Sequence, residues 1–276
     1  MKRLIVTADD FGAAVAVNDA VEQAHRGGLL TAASLMVTGD AAGDAVERAR
    51  RIPSLGVGLH VVLVEGRPAL PPEQLPDLVE SSGQFRTDMV RTAIDIFAKR
   101  AARAQLLAEV EAQFARFAAT GLPLDHVNAH KHFHLHPTIA STILAVGRRY
   151  GMKAIRAPIE PKKVLSKIEP GSGGIDMTRA WALLVRRRMR AAGMLVPDQV
   201  FGLAWTGGLN TARLRGLIAN LPDGLTEIYA HPATGPYPGS APGYAYVQEL
   251  AALTDGLAKD RALRDGVALG RFADFV

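Results

Sequence analysis

Cysteine is absent from the chain. That absence excludes disulfides, zinc fingers and thiolate-ligated iron–sulfur clusters. The apolar run at the N-terminus, Leu4-Ile5-Val6, is short and turns acidic at Asp9-Asp10. It is too short for a signal peptide or a membrane span, so a soluble cytoplasmic protein is expected. Aromatic residues make up only 6% of the chain. No nucleic-acid-binding motif accompanies them, and no nucleic-acid partner is expected. A strong excess of either charge is also lacking: the net charge of +5 is modest and can favour an anionic surface without defining a partner.

What is present is ample apolar material. The 276 residues are 48% hydrophobic, enough for one large core, and neither an internal repeat nor a domain boundary is apparent. A single domain over residues 1–276 is expected. Leu4 to Ala8 reads as a buried strand; Val17, Ala20, Val21 and Ala24 then recur at helical spacing until Gly27-Gly28. Strands at Ala32–Val37 and Gly56–Leu63 flank a helix at Ala41–Ile52. Pro68 to Gln84 reads as a long loop, and Thr87 as the cap of a long helical region reaching Thr120. A fourth strand, Asp125–Ala129, a helix from Pro137 and a short strand at Ala154–Arg156 follow. Pro158 to Met177 reads as a second loop, and Thr178 to Ala192 as a basic helix. Further strands are expected at Gln199–Ala204, Glu227–Ala230 and Gly266–Leu269, and further helices at Thr211–Asn220 and Val247–Leu257. Strands alternating with helices imply parallel pairing. The pattern favours a distorted (β/α) barrel over an open doubly wound sheet.

Five of the eight histidines lie between His126 and His136. If the run from His130 to His136 is extended, its four histidines share one side, with Phe133 and Leu135 on the other. Imidazole is the commonest metal-binding side chain near neutral pH. Three more strands also end in ionisable groups, at Asp9-Asp10, His60 and His231. Each has a bland structural use by itself: a helix cap for the aspartates, a satisfied core histidine for His60. In a parallel barrel, however, the strand C-termini open on one face, where catalytic residues gather. A carboxylate and two imidazoles leave coordination positions for water and substrate. A second carboxylate can accept the proton of that water, and a histidine can protonate a leaving group.

Thr7-Ala8-Asp9-Asp10-Phe11-Gly12, Gly58-Leu59-His60, His126 through His134 and Ala230-His231-Pro232 together resemble the motifs of the YdjC-like carbohydrate deacetylases, which include chitooligosaccharide deacetylase. The resemblance extends to Glu249-Leu250 and Leu253-Thr254. It implies a distorted barrel akin to the polysaccharide deacetylases, and a hydrolase that removes an N-acetyl group from an amino sugar. Carried over by position, Asp10, His60 and His130 hold one divalent metal ion, magnesium or zinc. Asp9 is then the general base and His231 the general acid. One departure stands out. The usual Asp-Ser-His is here Asn128-Ala129-His130, and Asn128 can still accept a hydrogen bond but supplies no charge. The wording of Leu29–Met36 and His126–His136 most resembles the branch named for hopanoid biosynthesis, which implies a lipid-linked sugar.

Two other functions compete: a metal-dependent phosphoesterase, and a non-catalytic metal- or carbohydrate-binding protein. The helix from Thr178 to Ala192 bears on where the substrate resides. Trp181, Leu184, Val185 and Ala192 share one side of a helical wheel, and Arg179, Arg186, Arg187 and Arg190 the other. Peripheral contact with an anionic membrane, at the inner face, is the expectation that follows. Arg188 on the apolar side and Leu183 on the basic side argue instead for a helix packed on the barrel.

Overall fold

A computed structural model describes residues 1–172 and 178–276. Among these residues seven parallel strands form one sheet: β1 (Lys2–Phe11), β2 (Ala32–Leu35), β3 (Gly56–Val61), β4 (Val127–Ala129), β5 (Gln199–Phe201), β6 (Gly224–Ala230) and β7 (Ala268–Leu269). The order across the sheet is β4-β3-β2-β1-β6-β5, and β7 pairs with the start of β1. The short Ala154–Arg156 strand expected from sequence is reduced to bridges, yet it fills the gap between β4 and β5. Val127 N–H donates to Ala154 O at 3.0 Å, and Arg156 N–H to Val127 O at 3.1 Å. On the other side, Ile155 N–H donates to Leu195 O at 3.0 Å, and Val200 N–H to Ile159 O at 2.9 Å. The strands therefore follow one another around a ring in chain order. A doubly wound sheet would reverse its order at a switch point, so the fold is the distorted barrel.

Ten helices join these strands among the described residues: α1 (Val15–Gly27), α2 (Ala42–Arg51), α3 (Met89–Ala98), α4 (Arg100–Ala119), α5 (Pro137–Arg149), α6 (Lys162–Ile168), α7 (Arg179–Ala191), α8 (Thr211–Ala219), α9 (Tyr246–Leu253) and α10 (Gly256–Arg264). Their buried stripes are the ones the spacing predicts. Val17, Ala20, Val21 and Ala24 of α1 are buried, as are Leu106, Val110, Phe114 and Phe117 of α4. Four details differ from the sequence reading. Asp88, not Thr87, caps the region after the long loop, its carboxylate accepting from Arg91 N–H at 2.9 Å. That region breaks at Lys99, whose backbone is extended, into α3 and α4. α6 lies inside the expected second loop, whose last part, residues 173–177, falls outside the described residues. α10 follows α9 after Asp255, which caps it through Ala258 N–H.

In α7 the buried stripe is Ala182, Val185 and Met189, while Trp181, Leu183 and Leu184 face outward. The expected apolar side is thus split between core and surface. Arg186 donates to the backbone of Asp198, and Arg190 to the backbone of Val196 and the Asp198 carboxylate. No helix among the described residues is long and apolar enough to cross a membrane.

Candidate active site

Adjacent residues of a strand point to opposite faces, so Asp9 and Asp10 ought not to serve one cavity. A β-bulge resolves this. The β1–β2 register shifts between Ala8 and Phe11, and Asp10 sits at φ 62°, in the left-handed region. Strain of that kind costs about 1–3 kcal/mol and clusters at functional sites. Both carboxylates therefore line one cavity of about 690 Å³, together with His60, His130, His132 and His231.

Three donors converge there. Asp10 Oδ1 stands 3.3 Å from His60 Nε2 and 3.2 Å from His130 Nδ1, and the two ring nitrogens are 3.4 Å apart. Donors held at 2.0–2.2 Å by one ion would stand roughly 3.0–3.4 Å apart, so the spacing fits a single cation. The tautomer fits as well. His60 Nδ1 donates to Asn128 Oδ1 at 2.7 Å, leaving Nε2 as a lone pair toward the site. Asn128 thus accepts the hydrogen bond that an aspartate would. Burial alone disfavours a proton on His60, but its hydrogen bond to Asp10 and the charges of Asp9 and Asp10 hold its pKa above the ordinary imidazole value. Burial pushes Asp10 upward; His130 and His60 more than offset this and hold it well below the usual carboxylate range.

Asp9 is 2% exposed, and burial likewise pushes it upward. Arg156 reverses that, donating to Oδ2 at 2.6 Å and Oδ1 at 3.0 Å and keeping Asp9 ionised far below its ordinary value. Arg156 is itself fully buried, bonds Glu227 at 2.7 and 3.0 Å, and lies 4.5 Å over the Tyr229 ring. His231 follows β6 directly, its ring edge-on to Tyr229 and 5.3 Å from Tyr244. Its backbone N–H donates to the buried Glu249, which also accepts from Leu209 N–H at 2.9 Å. Its Nδ1 finds no hydrogen-bond partner among the described residues.

The histidine run is not extended. It forms a kinked 3₁₀ segment from His130 to Leu135, with Lys131 and His132 at φ 52° and 53°. The kink separates the four histidines. His130 joins Asp10 and His60, while His132 Nε2 reaches Tyr229 Oη at 2.9 Å. His134 is turned into the core against Arg156 O, and burial with the nearby guanidinium lowers its pKa to about 3. His136 precedes α5 at its N-cap.

Sequence reasoning assigned no role to Arg156, Ser34 or Glu227. Arg156 carried a signal, as a charged residue ending an apolar strand, the same rule that singled out His60. Ser34 and Glu227 sit in strands with nothing to mark them.

A family model described as YdjC-like protein matches residues 3–262. The chain belongs to the YdjC-like family. A protein from Geobacillus stearothermophilus named carbohydrate deacetylase is 31% identical to this YdjC-like chain over 275 residues, covering 98% of this chain and 97% of that protein. A carbohydrate deacetylase from Brevibacillus brevis is 39% identical over 150 residues, about half of each chain (54% and 56%). A solved structure from Enterococcus faecalis V583, provisionally named a cellobiose-phosphate cleavage protein, matches with a TM-score of 0.77 at 24% identity, covering 100% and 99% of the two chains. That last likeness concerns the fold of the YdjC-like barrel.

Proposed function

We propose that this protein is a metal-dependent carbohydrate deacetylase that hydrolyses the N-acetyl group of an amino sugar. The observation that carries the reading is the convergence of Asp10, His60 and His130 on one point, in a cavity that also holds Asp9 and His231. The names of the relatives agree with it. Asp10, His60 and His130 would hold one divalent cation; the mixed oxygen and nitrogen set suits magnesium or zinc. Bound there, the cation would polarise the acetyl carbonyl and acidify a water.

The chain's own groups supply the rest. Asp9 accepts a proton from the attacking water. Among the described residues its Oδ2 has one donor, Arg156, and so retains a lone pair, whereas Oδ1 accepts from Ser34, Asn128 and Arg156. His231 donates a proton to the departing nitrogen, so that acetate and a free amine result. Glu249 and Leu209 fix the backbone beside His231. Tyr237, Tyr244 and Tyr246 line the cavity and offer apolar faces to a sugar ring. The phosphoesterase reading gains no support, because the nearby cations are engaged: Arg156 by Asp9 and Glu227, Lys131 by Glu65. Acetate release from N-acetylglucosaminides, with and without added cation, tests the proposal. A metal-loaded protein that releases none would refute it.

For the aglycone we infer a lipid, of the hopanoid type, with the enzyme docking on the inner membrane face. The motif wording supports this, as do the outward-facing Trp181, Leu183 and Leu184 of α7. Arg186 and Arg190 are tied to residues 196–198, so the apolar residues give the cleaner test. Trp181→Ser with Leu184→Ser should abolish binding to anionic vesicles while leaving deacetylation of a soluble substrate intact. Wild type that ignores such vesicles at low salt would end the docking idea.

A further inference from the structure

A line of buried polar groups, of which the chemistry above uses only the Ser34 hydroxyl, ends on Asp9. Asp125 Oδ2 stands 2.9 Å from His126 Nδ1, His126 Nε2 stands 2.9 Å from Ser34 Oγ, and Ser34 Oγ stands 3.1 Å from Asp9 Oδ1. Ser34 and His126 are fully buried, and Asp125 nearly so. The order Asp-His-Ser is that of a serine hydrolase. This serine is sealed from solvent, however, and its hydroxyl faces a carboxylate, so it cannot attack a substrate.

The fold makes room for this line. A Cβ at Gly58 would lie 2.6 Å from His126 Cδ2, and one at Gly56 would lie 2.7 Å from Asp125 Oδ2. Two glycines of β3 thus let the pair lie flat against the strand. On the other side the His126 ring stacks on Phe272 at 4.3 Å, and Ala273 N–H donates to Asp125 Oδ1 at 2.9 Å. Such confinement leaves the imidazole one orientation.

The neighbours of Ser34 assign its role. The Ser34 hydroxyl has one proton and two claimants, Asp9 and His126. Asn128 Nδ2 already donates to Ser34 Oγ at 2.9 Å and to Asp9 Oδ1 at 3.0 Å. Asp9 is the carboxylate and takes the hydroxyl proton. His126 Nε2 and, behind it, Asp125 hold the serine in line with Asp9.

We propose that Ser34, His126 and Asp125 are positioning residues that saturate Oδ1 of Asp9 and fix the carboxylate, so that Oδ2 alone works as the proton acceptor, a role that rests on the deacetylase reading. Three variants of the metal-loaded enzyme test it: Ser34→Ala, His126→Phe and His126→Gln. Phe keeps the ring stacked on Phe272 but offers Ser34 no hydrogen bond; Gln keeps a polar partner for Ser34. Ser34→Ala and His126→Phe should lower kcat by roughly 10- to 100-fold, the worth of a hydrogen bond to a charged group, with KM and metal content unchanged. His126→Gln should recover part of the loss. A kcat within twofold of wild type for both Ser34→Ala and His126→Phe overturns the proposal, as does a loss that Gln does not relieve relative to Phe. Ring ¹⁵N spectra need no activity: Ser34→Ala should move the His126 Nε2 resonance, which faces Ser34, more than Nδ1, which faces Asp125, and an unmoved Nε2 overturns the arrangement. If wild type releases no acetate, the deacetylase reading fails on its own, and these spectra decide the geometry behind Asp9.

Discussion

Replacing Arg156 with Met probes the electrostatic centre of the barrel. The guanidinium is fully buried and bonds two buried carboxylates, Asp9 at 2.6 and 3.0 Å and Glu227 at 2.7 and 3.0 Å. Methionine preserves much of the volume but leaves both carboxylates unpaired. Breaking a buried ion pair by removing one partner costs about 3–5 kcal/mol. For a chain of this size each kcal/mol shifts Tm by roughly 2 °C, so a fall of about 6–10 °C is expected. One carboxylate should also take up a proton at neutral pH, and if it is Asp9 the enzyme loses its base. Thermal unfolding followed by circular dichroism measures the first effect, and kcat the second. Glu227→Gln added to Arg156→Met removes one of the stranded charges and should recover part of the stability. An Arg156→Met protein with Tm within 2 °C of wild type and full turnover would refute the claim that Arg156 holds Asp9 ionised.

Other consequences follow from the same geometry. His60→Ala and His130→Ala should each abolish tight metal binding, whereas His134→Ala and His136→Ala should not; metal analysis of the purified variants decides. Asp9→Asn should keep the metal but lose about 10²- to 10⁴-fold in kcat, and a loss of metal along with activity would show the roles of Asp9 and Asp10 to be exchanged. In the metal-free protein the raised pKa of His60 contributes stability below the ordinary imidazole value, and this is lost as pH rises through the folded-state pKa. A cation must displace that proton, so metal affinity should weaken as pH falls through the same range; titration calorimetry in buffers of different ionisation enthalpy would detect the released proton.

Much of this was legible in the sequence. The strand ends at Asp9-Asp10, His60, His130 and His231 could be read because apolar runs stop abruptly at an ionisable group, and a parallel barrel gathers such ends on one face. The ring order could also be read, from strands alternating with helices. What escaped depends on backbone detail. The bulge that turns Asp9 and Asp10 into one cavity needs a positive φ at Asp10, and no glycine announces it. The kink at Lys131 and His132 is likewise unmarked, so a periodicity of two placed four histidines on one side when only His130 joins the cluster. The Ala154–Arg156 strand was visible, but its charge partners were not, since Asp9 and Glu227 lie far away in the chain.

The most direct test of the central claim is the stoichiometry of acetate and primary amine released from an N-acetylated amino sugar by the metal-loaded protein. Equal amounts of the two, both lost on chelation, restored by adding back a divalent cation, and absent in a folded His60→Ala variant, are the expected result. Turnover that persists after the metal has been stripped, or product that carries no free amine, would contradict it.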